Sequence, residues 1–262
     1  MRNKQLKRNQ RGFTLAELLV SSVVFLLMAG AAFSLLATSS QRFKTDSQVL
    51  TSFQEARLGI DQITRDIADG GFPPRNHFSS AVTPVNSYAA SPFAWVPGYP
   101  APCTVGGSCV TSPTGFDLII ETDYDGTGVK WIRYQLPAGS TTLLRAEVLK
   151  TGGFPETATD GALLPYLQNV MNNASGPQIA AIQAVYPAVF PGGNPVPVFT
   201  YSKFDTPSSA LAGGCAAIGT APCNIRDVDI VLIVQSFDRD AKTQRLRLVE
   251  LHGLAHRLNP NQ

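Results

Sequence analysis

The sequence predicts an α+β protein in which one long amino-terminal helix, transmembrane in its first half and amphipathic in its second, packs on an antiparallel β-sheet domain with long loops. Three observations carry this expectation. Residues 13–37 form an apolar run with a single charge, Glu17. Past that run, Leu50, Phe53, Arg57, Ile60, Ile63 and Ile67 recur at three- and four-residue steps, which places them on one helical face. Beyond residue 115, segments rich in β-branched and aromatic residues are separated by Asp, Gly and Pro turns.

The apolar run comes first. At 1.5 Å per residue, residues 13–37 make a helix of about 37 Å, longer than the roughly 30 Å hydrocarbon layer of a bilayer. Arg2, Lys4, Lys7, Arg8 and Arg11 precede it with no Asp or Glu among them. The positive-inside rule then leaves residues 1–12 in the cytoplasm and sends residues 38–262 outward. The chain has 262 residues and 21 Lys+Arg against 19 Asp+Glu. Without the five leader cations it is slightly acidic, and no run of Lys or Arg follows residue 12, so nucleic acid is not an expected partner.

An ordinary secretory signal places its small-residue cleavage site after the apolar region. Here the distinctive sequence stands at the polar-to-apolar border itself, Arg11-Gly12-Phe13-Thr14-Leu15-Ala16-Glu17-Leu18-Leu19-Val20. A carboxylate at the centre of a membrane helix costs about 2.5–3.5 kcal/mol, so Glu17 calls for a partner. The plainer alternatives are a tolerated interfacial carboxylate at Glu17 and, at Gly12, a turn ahead of an uncleaved signal anchor.

The amphipathic half, residues 38–71, continues the same helix to about residue 69, where Gly70-Gly71-Phe72-Pro73-Pro74 stops it. Residues 72–262 are the extracytoplasmic, β-rich part. Residues 77–113 have little periodicity and read as an extended loop. Residues 116–122 and 129–136 flank an Asp/Gly turn as a hairpin, and residues 143–148 extend it as a meander. A short helix is expected over residues 163–171, a strand over 196–201, and two further strands over 228–237 and 245–254. Helix first and antiparallel strands after predicts one sheet lying on the amphipathic half-helix.

The four cysteines fall as two close pairs, Cys103 with Cys109 and Cys215 with Cys223, in Gly/Pro/Ala-rich sequence. In an exported chain this suits two local disulfides. Free thiols and a metal site are the alternatives, the latter disfavoured because the spacings are C-x5-C and C-x7-C rather than C-x2-C.

Other candidate chemistry is thin. Asp123 and Asp125 sit in a glycine turn that could be read as a calcium loop, but the twelve-residue ligand set is incomplete, and an Asp/Gly hairpin turn explains them. His252 and His256 lack the glutamate of a zinc-protease helix. No nucleophile elbow, phosphate loop or dinucleotide fingerprint is present. No metal, cofactor or enzymatic activity is expected.

The border sequence resembles the class III signal of type IV prepilins and type II secretion pseudopilins, whose common form is G-F-T-L-x-E. The resemblance implies cleavage by prepilin peptidase between Gly12 and Phe13, N-methylation of Phe13, and a role for Glu17 in assembly through the amino-terminal ammonium of a neighbouring subunit. Looser matches resemble the PilW-like minor pilins and J-type minor pseudopilins: Arg57-Leu58 with Asp61, Arg65 and Asp66; Trp131-Ile132-Arg133-Tyr134; Pro197-Val198-Phe199-Thr200-Tyr201; and Ala255-His256-Arg257-Leu258-Asn259. The implied protein is a minor pilin, held in the inner membrane by one span until extracted into a pilus. Its implied partners are prepilin peptidase, other pilin or pseudopilin subunits and the inner-membrane assembly platform. A minor pseudopilin of type II secretion, and a tip adhesin or DNA-uptake pilin acting through residues 72–115 and 172–225, are the alternatives.

Overall fold

The computed structural model describes residues 12–74, 77–78, 85–99, 101–205, 218–240 and 245–259. Helix α1 spans Leu15–Ala68, 54 residues and about 81 Å at 1.5 Å per residue. Its side chains are exposed through most of the first half, and the buried ones begin at Thr45 and Val49. From there Ser52, Ala56, Gly59, Ile60, Ile63 and Ile67 follow at helical spacing, so only the second half has a domain to lie on. Asp69 caps α1, and Gly71, at φ +88°, turns the chain away.

Among the described residues the strands form two antiparallel sheets, not the single one expected. The first has the order β1-β2-β3-β4-β5, from Phe93–Ala94, Asp117–Thr122, Lys130–Gln135, Leu143–Leu149 and Leu164–Leu167. The second is β6-β7-β8, from Phe199–Phe204, Ile225–Arg239 and Leu246–His256. Helix α2 (Pro155–Asp160) follows β4, and α3 (Gly176–Gln183) follows β5. Local periodicity marks each strand but does not say which ladder it joins; β6 pairs with β7, not with the β5 that precedes it.

Two segments differ from expectation in type. Residues 163–171 are not helical: Leu164–Leu167 is an edge strand carrying Pro165, and Val170 bridges to Val234. A short apolar run does not separate helix from strand by itself, and the proline is tolerated because β5 lies on an edge. Within the expected loop, Phe93 and Ala94 pair with Ile120 and Ile119. The α+β arrangement itself is the one the sequence predicts.

The core is a wedge. Ile60, Ile63 and Ile67 enter between Leu118, Ile120, Ile132 and Leu143 of the first sheet and Val228, Ile230 and Ala255 of the second. Each fully buried isoleucine is worth roughly 1.5–3 kcal/mol. The approach is close enough that a Cβ on Gly253 of β8 would lie 2.5 Å from Ile60 Cγ2, and one on Gly59 would lie 2.4 Å from Leu167 Cδ1. A side chain at Gly253 would push against the branched Cβ of Ile60, and one at Gly59 would require the Leu167 side chain to move. The opposite face of the first sheet buries Ile119, Trp131 and Val96, which explains why every residue of β2 is buried.

Polar contacts fix the sheets to the helix. Asp66 of α1 accepts from the Tyr134 hydroxyl at 2.6 Å, from Arg145 Nη2 at 3.2 Å and from Gln62 Nε2 at 2.7 Å. Burial, followed by the Asp66 charge, pushes the Tyr134 phenol far up, so it stays a donor. At the far end, Leu258 N donates to Ala68 O at 3.0 Å and Thr122 Oγ1 to Asp69 O at 2.9 Å.

Candidate functional site

The start of α1 is built by a four-residue exchange. Thr14 is extended, at φ −78° and ψ 150°, and acts as the N-cap. Its Oγ1 accepts from the Glu17 amide at 3.3 Å, while its own amide and hydroxyl donate to Glu17 Oε2 at 3.0 and 2.9 Å. This is a capping box, which satisfies two amides that a helix start leaves without partners. The T-x-x-E spacing of Thr14 and Glu17 is its sequence signal, a role for Thr14 that the assembly reading of Glu17 passes over.

The cap sets the geometry of the border. Gly12 and Phe13 lie just outside the helix, Phe13 with 83% of its surface exposed. A Cβ on Gly12 would meet nothing within 4 Å, so the fold does not require glycine there. Beside Glu17, Ala16, Val20, Ser21, Val24 and Met28 line a shallow apolar groove along the free half of α1. That half is long and apolar enough to cross a membrane, and none of its most apolar stretch is covered by the rest of the chain. It fits a membrane anchor, and its bare surface fits packing against other helices.

The cysteine pair Cys103–Cys109 is a disulfide, with Cα atoms 5.1 Å apart, and it packs with Trp95, Ala221 and Cys223. Cys215 lies outside the described residues, and with it the pairing expected for Cys223.

The Asp/Gly turn is an ion-paired hairpin end. Asp125 accepts from the Thr127 amide at 3.1 Å and from Lys130 Nζ at 2.6 Å, and Lys130 also reaches Glu147 at 3.0 Å. The hydrogen bond from Lys130, then that from Thr127, holds the Asp125 carboxyl down at about 2. Glu147 is also lowered: partial burial opposes the shift, but bonds from Tyr124, Lys130 and Arg145 outweigh it. Lys130 is raised above its usual 10.5, first by Asp125. The signs follow from linkage. The two carboxylates contribute stability that is complete above their ordinary values, 3.8 and 4.5, and is lost as pH falls through the lowered ones. The Lys130 share is present at neutral pH and is lost only above 10.5. Thermal unfolding of wild type and Lys130→Met should therefore converge as pH is taken from about 5 down towards 2. A gap that stays constant over that range would show that the pair does not contribute.

A second constellation has catalytic residue types but lies buried in the fold. Glu121, fully buried, accepts from Tyr99 at 2.6 Å and Trp131 Nε1 at 3.0 Å on one oxygen. The other takes the Ala90 amide at 2.9 Å and Lys150 Nζ at 2.8 Å. Burial, then the Glu121 charge, raises the Tyr99 phenol far above its ordinary value. Every group is paired inside the fold, which makes this a structural network. His252 and His256 stand on the exposed face of β8 beside Glu250 and Asp227, at 3.1 and 2.5 Å. Among the described residues, no cluster of three or more His, Cys, Asp or Glu side chains is placed to hold a metal.

Residues 7–33 match the family model described as the prokaryotic N-terminal methylation motif, which is the class III signal of type IV pilins. No curated protein and no solved structure matches the chain. The motif supports a type IV pilin-like or pseudopilin-like reading, and the bare apolar half-helix with a sheet domain behind it is consistent with that.

Proposed function

We propose that this pilin-like chain is a minor type IV pilin that takes part in initiating pilus assembly. Prepilin peptidase cuts between Gly12 and Phe13 and methylates the new amine. The mature subunit waits as a single-pass inner-membrane protein with residues 38–262 outside, and the assembly platform then extracts it into a filament. A minor role fits better than a major one, because a large two-sheet domain with long loops is awkward to repeat along a tightly packed fibre.

The observation that carries this reading is the apolar half of α1, which stands free of the domain and ends in an accessible Gly12-Phe13 border ahead of Glu17. Among the described residues, the Glu17 carboxylate is engaged only by Thr14. In a filament the methylated Phe13 ammonium of a neighbour would meet it between apolar helices, where low dielectric strengthens a charge pair and fixes its register.

The test is complementation of cells that lack the chain. Wild type should restore surface filaments and appear in them as a small fraction of the protein. Glu17→Ala should be processed to the mature mass yet leave filament number down by about ten-fold or more, equivalent to roughly 1.4 kcal/mol in the docking step. Normal piliation by Glu17→Ala, or by cells without the chain, would remove this assignment.

A further inference from the structure

From the way the β7–β8 hairpin runs along α1, we infer a basic collar at the membrane end of the domain that engages anionic phospholipid headgroups. Three contacts set the alignment. Arg247 pairs with Asp46 at 3.4 Å, a Cβ on Gly253 would touch Ile60, and Leu258 bonds to Ala68. Strand β8 thus runs parallel to α1: the steps from 247 to 253 on the strand and from 46 to 60 on the helix both span about 20 Å. Arg245, two residues before Arg247 and just ahead of β8, falls about 7 Å nearer the apolar half, level with Arg42.

Arg42 lies on the same face of α1 as the buried Thr45 and Val49, the face that carries the hairpin. It stands about 7.5 Å along the axis beyond Ala37, at the outer edge of the headgroup layer, which extends roughly 5–7.5 Å past the hydrocarbon. Lys44, two residues on, stands about 200° round the helix, so the cations ring α1 at this level. Arg42, Lys44 and Arg245 are exposed and form no ion pair among the described residues. Arg247 is held by Asp46 and Asp240, and Arg239 closes the group on β7. Phe43 and Phe237, 75% and 53% exposed, flank the cations with apolar surface suited to the headgroup–acyl boundary.

Charge complementarity names the occupant. After residue 37 the chain carries sixteen Lys and Arg against eighteen Asp and Glu, and five of those cations gather at this one end. Asp46, Asp238 and Asp240 are the acids in the same two stretches. Clustered cations beside a membrane helix attract anionic headgroups, and the attraction decays within a Debye length. Contact with headgroups holds the domain upright on the membrane and is given up on extraction.

The inference rests on the anchored reading of residues 13–37, but its test does not depend on processing. The full chain is placed in nanodiscs of phosphatidylcholine alone or with about 30 mol % phosphatidylglycerol, and amide hydrogen exchange is followed over residues 235–247. The expected result is exchange several-fold slower with phosphatidylglycerol, with the difference lost at about 0.5 M salt. The triple variant Arg42→Gln, Lys44→Gln, Arg245→Gln should lose the difference while keeping its unfolding temperature. Equal exchange in the two lipids overturns the proposal, as does protection that survives in the triple variant. Slowing by inorganic phosphate in phosphatidylcholine discs would assign the cations to a free anion and also overturn it. A chain that never enters nanodiscs would instead count against the membrane anchor.

Discussion

A Gly12→Asp chain is expected to keep residues 1–12 in cells that contain prepilin peptidase, whereas wild type is recovered as a 250-residue chain beginning at N-methylated Phe13. Structure makes this a clean test of recognition. Gly12 precedes the N-cap, and a side chain there meets nothing within 4 Å. It is also not among the glycines with left-handed φ, so substitution imposes no backbone strain. The Thr14–Glu17 box that starts the helix does not involve Gly12. Folding, insertion and capping should therefore survive, and any change in mass reports the peptidase alone. Intact-mass measurement on membranes from cells with and without the peptidase reads the outcome directly. Cleavage of Gly12→Asp at the wild-type rate, or a wild-type chain that retains its leader, would reduce the border to an ordinary signal anchor.

The long helix was legible because its information is local. An apolar run, a 3.6-residue periodicity and a Gly-Gly stop all lie within the segment they describe. The hairpin of β2 and β3 was legible for the same reason: Asp125, Gly126 and Gly128 sit at the turn itself, and Gly126 and Gly128 take φ of +75° and +112°. What joins helix to sheet was not legible. Asp66 finds Tyr134 and Arg145 at separations of 68 and 79 residues, and no local pattern announces such a pairing. The looser family-like segments nonetheless contain both Asp66 and Tyr134, so part of that resemblance coincides with the helix–sheet joint. The division into two sheets was hidden likewise, since period-2 alternation says that a strand is half-buried but not against what. The basic collar illustrates the limit: Arg42 and Arg245 are some two hundred residues apart, and only the parallel course of β8 along α1 brings them to one level.

The largest stability effect is expected at Glu121. Replacing it with Ala strips the charged partner from Lys150, whose surface is only 4% exposed and whose ammonium keeps just the Tyr88 carbonyl at 3.4 Å, and takes the acceptor from the Tyr99 hydroxyl, Trp131 Nε1 and the Ala90 amide. An uncompensated buried charge costs about 3–5 kcal/mol, against a total stability of roughly 5–15 kcal/mol for a domain. The denaturation midpoint should fall accordingly. The double variant Glu121→Leu, Lys150→Met should recover much of the loss, because removing both charges leaves no unpaired ion. A cost below about 1 kcal/mol for Glu121→Ala would mean that water reaches Lys150 and that the pair behaves as an exposed one. The position also bears on assembly. Glu121 O accepts from the Gly71 amide at 2.8 Å, and the next residue, Thr122, bonds to Asp69 at the end of α1. Loosening β2 there loosens the grip of the domain on the helix that would be pulled into a filament. Glu121→Ala should therefore still be cut after Gly12, since the amino-terminal border lies at the opposite end of α1, yet be incorporated poorly.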